Sequence, residues 1–222
     1  MSEFIRTGFD HTAHGFRFVN YFEAHLMGLD PAYGLCGGMC LAALDYYHAA
    51  RTVPQMEIQP RPGSSLYRYL WRRQMDSLLG LNTVPRILLW QWRSDRFLRR
   101  ITAIQEFPIL KDLLDRGQPT PLIVLRKRNM GNPTENHQVL AIGYDLDHVL
   151  ERVSIDIYDP DYPQERRHLL LALEKQPMLS DDSEATVIPR GFFVLCYKPQ
   201  LDNLPPTFED SDLLNEQEYS RQ

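Results

Sequence analysis

The sequence has few cysteines and no long apolar segment, and both absences restrict the class of protein it encodes. Only three cysteines occur among the 222 residues, and two of them, Cys36 and Cys40, are four positions apart. A small, odd number with this spacing excludes the disulfide framework that holds small secreted domains together. No run of about 18 apolar residues is present, so we expect neither a transmembrane helix nor a membrane partner.

The sequence also lacks a secretory leader and an excess of basic charge. The segment 1–16 has no apolar core of the kind found in signal peptides, which predicts a cytoplasmic protein. The net charge is −5, and the segment 202–222 alone contains six acidic residues and one arginine. The rest of the chain is therefore neutral overall and its basic clusters are short, so nucleic-acid binding is not expected. The oligomeric state stays open.

The hydrophobic pattern changes along the chain. Helical periodicity dominates from about 37 to 117, and short β-branched and aromatic runs dominate from about 120 to 198. Such segregation predicts an α+β fold in which a helical part packs on an antiparallel sheet. Because no linker or repeat divides them, we predict a single domain over 1–201, followed by a disordered acidic tail over 202–222. The alternating aromatic residues of 15–22 predict a short additional strand.

A predicted hairpin brings an imidazole and a carboxylate together. The segments "HQVLAIGYD" and "RVSIDIYDP" read as two strands joined by a polar turn. Pairing Tyr144 with Arg152 places His137 opposite Asp159 at the open end of the hairpin. A carboxylate beside a histidine orients the ring, fixes its tautomer and stabilises the imidazolium. From these residues alone, a surface histidine and a turn-forming aspartate remain the alternatives.

Cys36 precedes a helix that we predict from Gly37 to about Ala50. A thiol in the first turn of a helix lies near free backbone N–H groups and the positive end of the helix dipole, which favour the reactive thiolate. Its own amide is a candidate donor to an oxyanion. Glycines at 34, 37 and 38 would allow a sharp turn and leave room for a substrate.

The other two cysteines are predicted to be buried core residues. Cys40 lies one turn after Cys36 on the apolar face of the predicted helix, and Cys196 lies within the apolar run "FFVLCYK". A metal site built from Cys36, Cys40 and His137 is not expected, because structural zinc sites use a two-residue gap and a second pair of ligands. We therefore predict no metal and no cofactor.

These motifs resemble those of papain-like cysteine peptidases, most closely the double-glycine leader peptidase domains of bacteriocin exporters. The segment "CGGMCLAALDYY" resembles their nucleophile helix, "HQVLAIGYD" resembles the strand that opens with their histidine, and "IYDP" resembles the strand that ends with their acid. The resemblance implies that Cys36 is the nucleophile, His137 the general base and Asp159 the residue that orients the imidazole. Papain's own Cys-x-x-Cys signature would instead make Cys40 catalytic, but the spacing here is one residue longer and no tryptophan follows.

The resemblance covers about 50 residues and departs from the family at one position. The family carries a glutamine about six residues before the nucleophile, whose amide completes the oxyanion hole, whereas this chain has Asp30 there. Asn20 is the candidate for the missing amide. The resemblance implies a papain-like α+β fold and a cysteine hydrolase that acts on a peptide or amide bond. An inactive papain-like binding module and a thiol-dependent acyltransferase are the alternatives.

Overall fold

The computed structural model describes residues 2–22, 34–80, 82–129, 131, 135–173, 179–181 and 189–207. The helices are α1 (His11–His14), α2 (Cys36–His48), α3 (Ser65–Leu79), α4 (Thr83–Gln91), α5 (Asp95–Ile101) and α6 (Phe107–Asp115), with a π-helical turn (Thr102–Glu106) between the last two. The strands are β1 (Ser2–Arg6), β2 (Thr120–Leu125), β3 (His137–Asp147), β4 (Arg152–Tyr158), β5 (Arg167–Ala172), β6 (Leu179–Asp181) and β7 (Gly191–Val194). No helix within these ranges is long and apolar enough to cross a membrane.

The helix boundaries follow from the local sequence. The Ser64 hydroxyl accepts a hydrogen bond from the Tyr67 amide at 3.2 Å and caps α3. Pro108 is the second residue of α6, directly after the π-helical turn, and the backbone stays helical through it. Gly117, with φ of +72°, follows the end of that helix. The predicted helical region is therefore confirmed, as several short helices.

All seven strands form one open antiparallel sheet in the order β6-β5-β4-β3-β2-β7, and β1 also pairs with β3. This arrangement confirms the predicted α+β class. The strand predicted over 15–22 is wrong, because this segment pairs with no strand in the described chain. Its alternation has another cause: Phe16, Phe18 and Phe22 are buried in the core beside α2 and α3. In this segment, alternating burial therefore occurs without pairing to a strand of the described sheet.

The β3–β4 hairpin is tighter than the predicted register. Arg152 pairs with Asp147, and Tyr144 pairs with Ile155, which is three residues further along β4 than predicted. The turn is short because the Asp147 carboxylate accepts hydrogen bonds from the backbone amides of Val149 and Leu150, at 2.8 and 3.0 Å. The register error therefore comes from the turn and not from the strands.

A β-bulge between Ala141 and Gly143 moves the β3–β4 register by one residue. Such a bulge reverses which face of the sheet the following side chains occupy. The same core cluster accordingly contains Val139 and Ala141 before the bulge and Tyr144 and Leu146 after it. The bulge keeps these apolar residues of β3 in a single layer.

The sheet has a packed core on each face. One cluster joins α2 and α3 to Leu140 and Ile142 of β3, and the other joins α6 to the alternate residues of β2, β3 and β4. The chain continues beyond the predicted domain boundary: Leu204 is buried, and the Pro205 carbonyl accepts a hydrogen bond from the Tyr46 hydroxyl at 2.8 Å. Residues 208–222 of the predicted tail lie outside the described residues.

Candidate active site

Cys36 is the first residue of α2, so the helix begins one residue before the predicted start at Gly37, and only 7% of Cys36 is exposed. The preceding residue, Leu35, provides no side-chain cap for the helix. The Gly38 amide donates to the Gln74 side-chain oxygen at 2.9 Å. No described residue accepts a hydrogen bond from the Cys36 amide. Within the described chain, this donor of the first turn is therefore available to a ligand.

The predicted histidine–aspartate pair forms at one edge of the sheet. His137 begins β3, and Asp159 directly follows β4. The His137 Nε2 and Asp159 Oδ1 atoms are 2.7 Å apart, and both residues are buried. The tertiary structure thus brings together the two residues that the sequence suggested, although the predicted register was wrong.

Burial and charge act in opposite directions on this pair. Burial alone would lower the pKa of His137, but the Asp159 and Asp161 carboxylates and the hydrogen bonds outweigh it and raise that pKa well above the usual 6.5. Burial alone would raise the pKa of Asp159, but His137 and the Asp161 amide lower it below the usual range. The geometry therefore favours an imidazolium beside a carboxylate.

The Cys36 side chain lies close enough to the His137 ring to contribute, after the two carboxylates, to the raised pKa of the imidazole. Because Asp159 occupies Nε2, Nδ1 is the ring nitrogen left for the thiol. Cys36, His137 and Asp159 therefore meet at one point, where the start of a helix lies against the ends of two strands.

The sequence interpretation missed Asp161, which also faces the imidazole. One Asp161 carboxylate oxygen is 3.6 Å from His137 Nε2, and its backbone amide donates to Asp159 Oδ1 at 2.9 Å. The signal is the second aspartate of "YDPDYP", two residues after Asp159. A second acid two residues after a candidate triad acid is a feature that a sequence can show, but its contact with the ring depends on the turn.

Asn20 lies between the nucleophile region and this turn. Its Nδ2 donates to Asp161 Oδ1 at 2.9 Å, and its backbone amide donates to the Pro160 carbonyl at 2.9 Å. A methyl group added at Gly34 would come within 2.1 Å of Nδ2, so Asn20 lies directly beside the residue two positions before Cys36. Asp30, which stands where the family has its glutamine, lies outside the described residues.

The glycines around Cys36 serve close packing within the protein. A methyl group at Gly38 would come within 2.2 Å of the Leu70 carbonyl oxygen of α3, and one at Gly37 within 2.4 Å of the Gln138 side chain. Neither glycine has a positive φ. We had expected these glycines to make a turn and leave room for a substrate, whereas at these two positions the protein's own atoms occupy the space.

We expect Gly38→Ala to destabilise the protein by about 1–3 kcal/mol, because the neighbouring atom is backbone and cannot move aside cheaply. At an exposed helix position, glycine to alanine would stabilise the protein by about 0.5–1 kcal/mol. The sign of the change in unfolding free energy therefore distinguishes a packed site from an exposed one. Urea unfolding of Gly38→Ala measures the effect. Gly80→Ala is the matched control, since the nearest atom to its methyl would lie 3.3 Å away. A Gly38→Ala protein as stable as the control would contradict the close helix packing.

The other two cysteines differ from each other. Cys40 is fully buried as predicted, and its thiol donates to the Gln138 carbonyl at 3.7 Å. Burial first, and then the nearby Cys36 and carboxylates, raise the pKa of Cys40 well above its usual value. The prediction for Cys196 is wrong, because β7 ends at Val194 and leaves this cysteine exposed.

The ligand atoms of His137, Asp159 and Asp161 lie within 4.8 Å of one another, which invites comparison with a metal site. A tetrahedral zinc ion with ligands at about 2.0–2.2 Å holds any two of them about 3.3 Å apart. The His137–Asp159 separation of 2.7 Å is shorter and matches a charge-assisted hydrogen bond. This pair as it stands therefore fits a shared proton better than an ion.

No protein-family model matches this chain, and neither a curated protein nor a solved structure shows significant similarity to it.

Proposed function

We propose that this protein is a cysteine hydrolase that cleaves a peptide or amide bond through Cys36, His137 and Asp159. The observation that supports this most directly is the buried 2.7 Å His137–Asp159 pair, whose ring also lies near a cysteine at the start of a helix. A structural cysteine needs neither partner. Thiol activation by an adjacent oriented base is the recurring arrangement of nucleophilic acyl chemistry.

In the proposed reaction the Cys36 sulfur attacks the carbonyl carbon while His137 holds the thiol proton. The tetrahedral intermediate collapses when the imidazolium donates this proton to the leaving nitrogen, and the carbon–nitrogen bond breaks. A thioester on Cys36 remains. Water then adds to the thioester with His137 as general base, which releases the acid and restores the thiol.

The neighbours have separate roles in this proposal. Asp159 keeps the ring oriented and stabilises the imidazolium that each step forms. The Cys36 amide and the second N–H of the Asn20 side chain donate to the oxyanion. Removing one such donor typically costs about 100- to 1000-fold in rate. Asn20 therefore takes the place of the family's glutamine in our proposal, from a position further upstream in the chain.

The test is the reaction of the native protein with iodoacetamide between pH 5 and 9, followed by mass-spectrometric mapping of the labelled cysteine. We expect Cys36 to react at pH 6 about 10- to 100-fold faster than Cys196, because in our proposal the adjacent His137 takes the proton of the attacking thiol. Cys196 is exposed and serves as the internal reference. Cys40 is expected to stay unlabelled until the protein unfolds.

His137→Ala separates accessibility from activation in the same experiment. We expect the rate at Cys36 to fall to that of Cys196 or below, while the rate at Cys196 stays unchanged. Equal reactivity of Cys36 and Cys196 in the wild-type protein would remove the nucleophile assignment. That outcome would favour the inactive binding module over the hydrolase.

A further inference from the structure

We infer that Asp161 is a positioning residue of this site, which turns the Asn20 amide nitrogen towards the nucleophile region and adds a second negative charge beside the His137 imidazolium. The inference rests on the proposed function of the site. It concerns a residue that the resemblance does not assign. Asp161 is suited to both roles because its two carboxylate oxygens face different partners: Oδ1 faces Asn20 at 2.9 Å and Oδ2 faces His137 at 3.6 Å.

The first role follows from the chemistry of the two side chains. An ionised carboxylate only accepts hydrogen bonds, so it selects the nitrogen of the Asn20 amide and excludes the oxygen. The Asn20 oxygen is then directed elsewhere, and it is buried with no hydrogen-bond partner among the described residues. Nδ2 carries two hydrogens and Asp161 uses one. The second is left for an oxyanion, beside Gly34.

The turn that carries Asp161 makes this orientation rigid. The Asn20 backbone amide donates to the Pro160 carbonyl, and the Asp161 backbone amide donates to the Asp159 carboxylate, both at 2.9 Å. The same three-residue turn thus supplies the orienting acid of the imidazole and the anchor of the amide. A change in this turn would move both parts of the site together.

The second role depends on every charged group around the imidazole. The groups that act on His137 itself are Asp159, Asp161 and Cys36. The other titratable groups nearby are Arg126, Cys40 and Tyr158, which interact electrostatically with Asp159. Asp159 is almost fully buried, whereas 35% of the Asp161 side chain is exposed. Solvent screens the exposed charge more strongly. We therefore expect Asp161 to affect the imidazolium less than Asp159 does.

The charge role is tested by NMR titration of the His137 ring in the wild-type protein and in Asp161→Asn. We expect the midpoint to fall by about one pH unit in Asp161→Asn, which removes the charge but keeps the size. Asn20→Ala is the matched control, since it breaks the same hydrogen bond and leaves the charge in place. Asp159→Asn should lower the midpoint further. An unchanged midpoint in Asp161→Asn would overturn this role whatever the activity.

The orienting role is tested by comparing two reactions of Cys36. Alkylation by iodoacetamide forms no oxyanion, whereas acylation by p-nitrophenyl acetate does. We expect Asn20→Ala and Asp161→Ala each to slow acylation about 100- to 1000-fold relative to alkylation, and the double variant to lose no more than either single one. Asp161→Asn offers Asn20 both an acceptor oxygen and a donor nitrogen, so it should recover only part of the acylation rate. Full acylation in Asp161→Ala with a loss in Asn20→Ala would overturn the orienting role.

These readouts separate the inference from the proposed function. A wild-type protein that does not acylate at Cys36, but whose His137 midpoint falls in Asp161→Asn, is not a hydrolase and still has Asp161 acting on its imidazole. A protein that acylates normally in all Asp161 variants, with an unchanged midpoint, is a hydrolase in which Asp161 has no such role.

Discussion

Cys36→Ala is expected to abolish acyl transfer from p-nitrophenyl acetate, with a loss of at least about 1000-fold in the rate of p-nitrophenol release. The reason is that the proposed reaction passes through a thioester on this sulfur, for which alanine offers no substitute. Mass spectrometry should show a single acetyl group on Cys36 in the wild-type protein and none there in the variant. Cys36→Ser keeps a nucleophilic atom but should remain severely impaired, since a hydroxyl is ionised much less readily than a thiol.

The other cysteines provide the controls for this experiment. Cys196→Ala should retain full activity, because that residue is exposed and lies beyond the end of β7. Cys40→Ala should lose some stability through the cavity it creates, yet the acetyl group should still appear on Cys36. Acetylation that persists in Cys36→Ala and disappears in Cys40→Ala would instead support the papain-type alignment that the spacing disfavoured.

Arg73→Ala is expected to destabilise the protein by about 3–5 kcal/mol, the usual cost of breaking a buried ion pair by removing one partner. Arg73 of α3 is 2% exposed, and its Nε lies 2.7 Å from the carboxylate of Asp45 in α2, which is fully buried. The same guanidinium donates to the Lys198 carbonyl at 3.0 Å. The change therefore leaves a buried charge and frees the segment after β7. Urea unfolding measures it.

Arg72→Ala is the matched control, because this neighbouring arginine of α3 is exposed and should cost less than about 1 kcal/mol. A pH series adds a second check. Burial raises the pKa of Asp45, and in Arg73→Ala the loss of its cation should raise this pKa further. The loss of unfolding free energy in Arg73→Ala is then fully present above the folded-state pKa of Asp45. It should shrink as the pH falls through that pKa, because Asp45 becomes protonated and its buried charge disappears. A penalty that is equal in both arginine variants would contradict a structural role for this pair.

Local patterns were sufficient to predict much of the fold. The cap at Ser64, the helix that follows it and the apolar strands all depend on residues close in sequence. The short strand β1 was not predicted, because its five residues form a strand only by pairing with β3. The strand predicted over 15–22 was wrong for a related reason. The aromatic residues alternate there because they are buried in the core, and not because the segment pairs with a sheet.

The candidate site also combines residues that local motifs predict with a contact that only the tertiary structure reveals. Cys36 at a helix start, His137 at a strand start and Asp159 at a strand end could each be proposed from motifs. Their meeting does not depend on a correct hairpin register, since the turn and the bulge together shift the pairing and the two side chains still approach to 2.7 Å. The contact between Asn20 and Asp161 could not be predicted from the sequence, because the two residues are 141 positions apart.

The sequence by itself therefore determined the α+β class, the helix that opens with Cys36 and the hairpin that holds His137 and Asp159. It did so because helix capping, strand alternation and turn formation act over a few neighbouring residues. The tertiary structure decided the register, the exposure of Cys196, the close packing at Gly38 and the contact of Asp161 with both Asn20 and His137. These features depend on contacts between distant segments, whose geometry is set only when α2 and the sheet pack together.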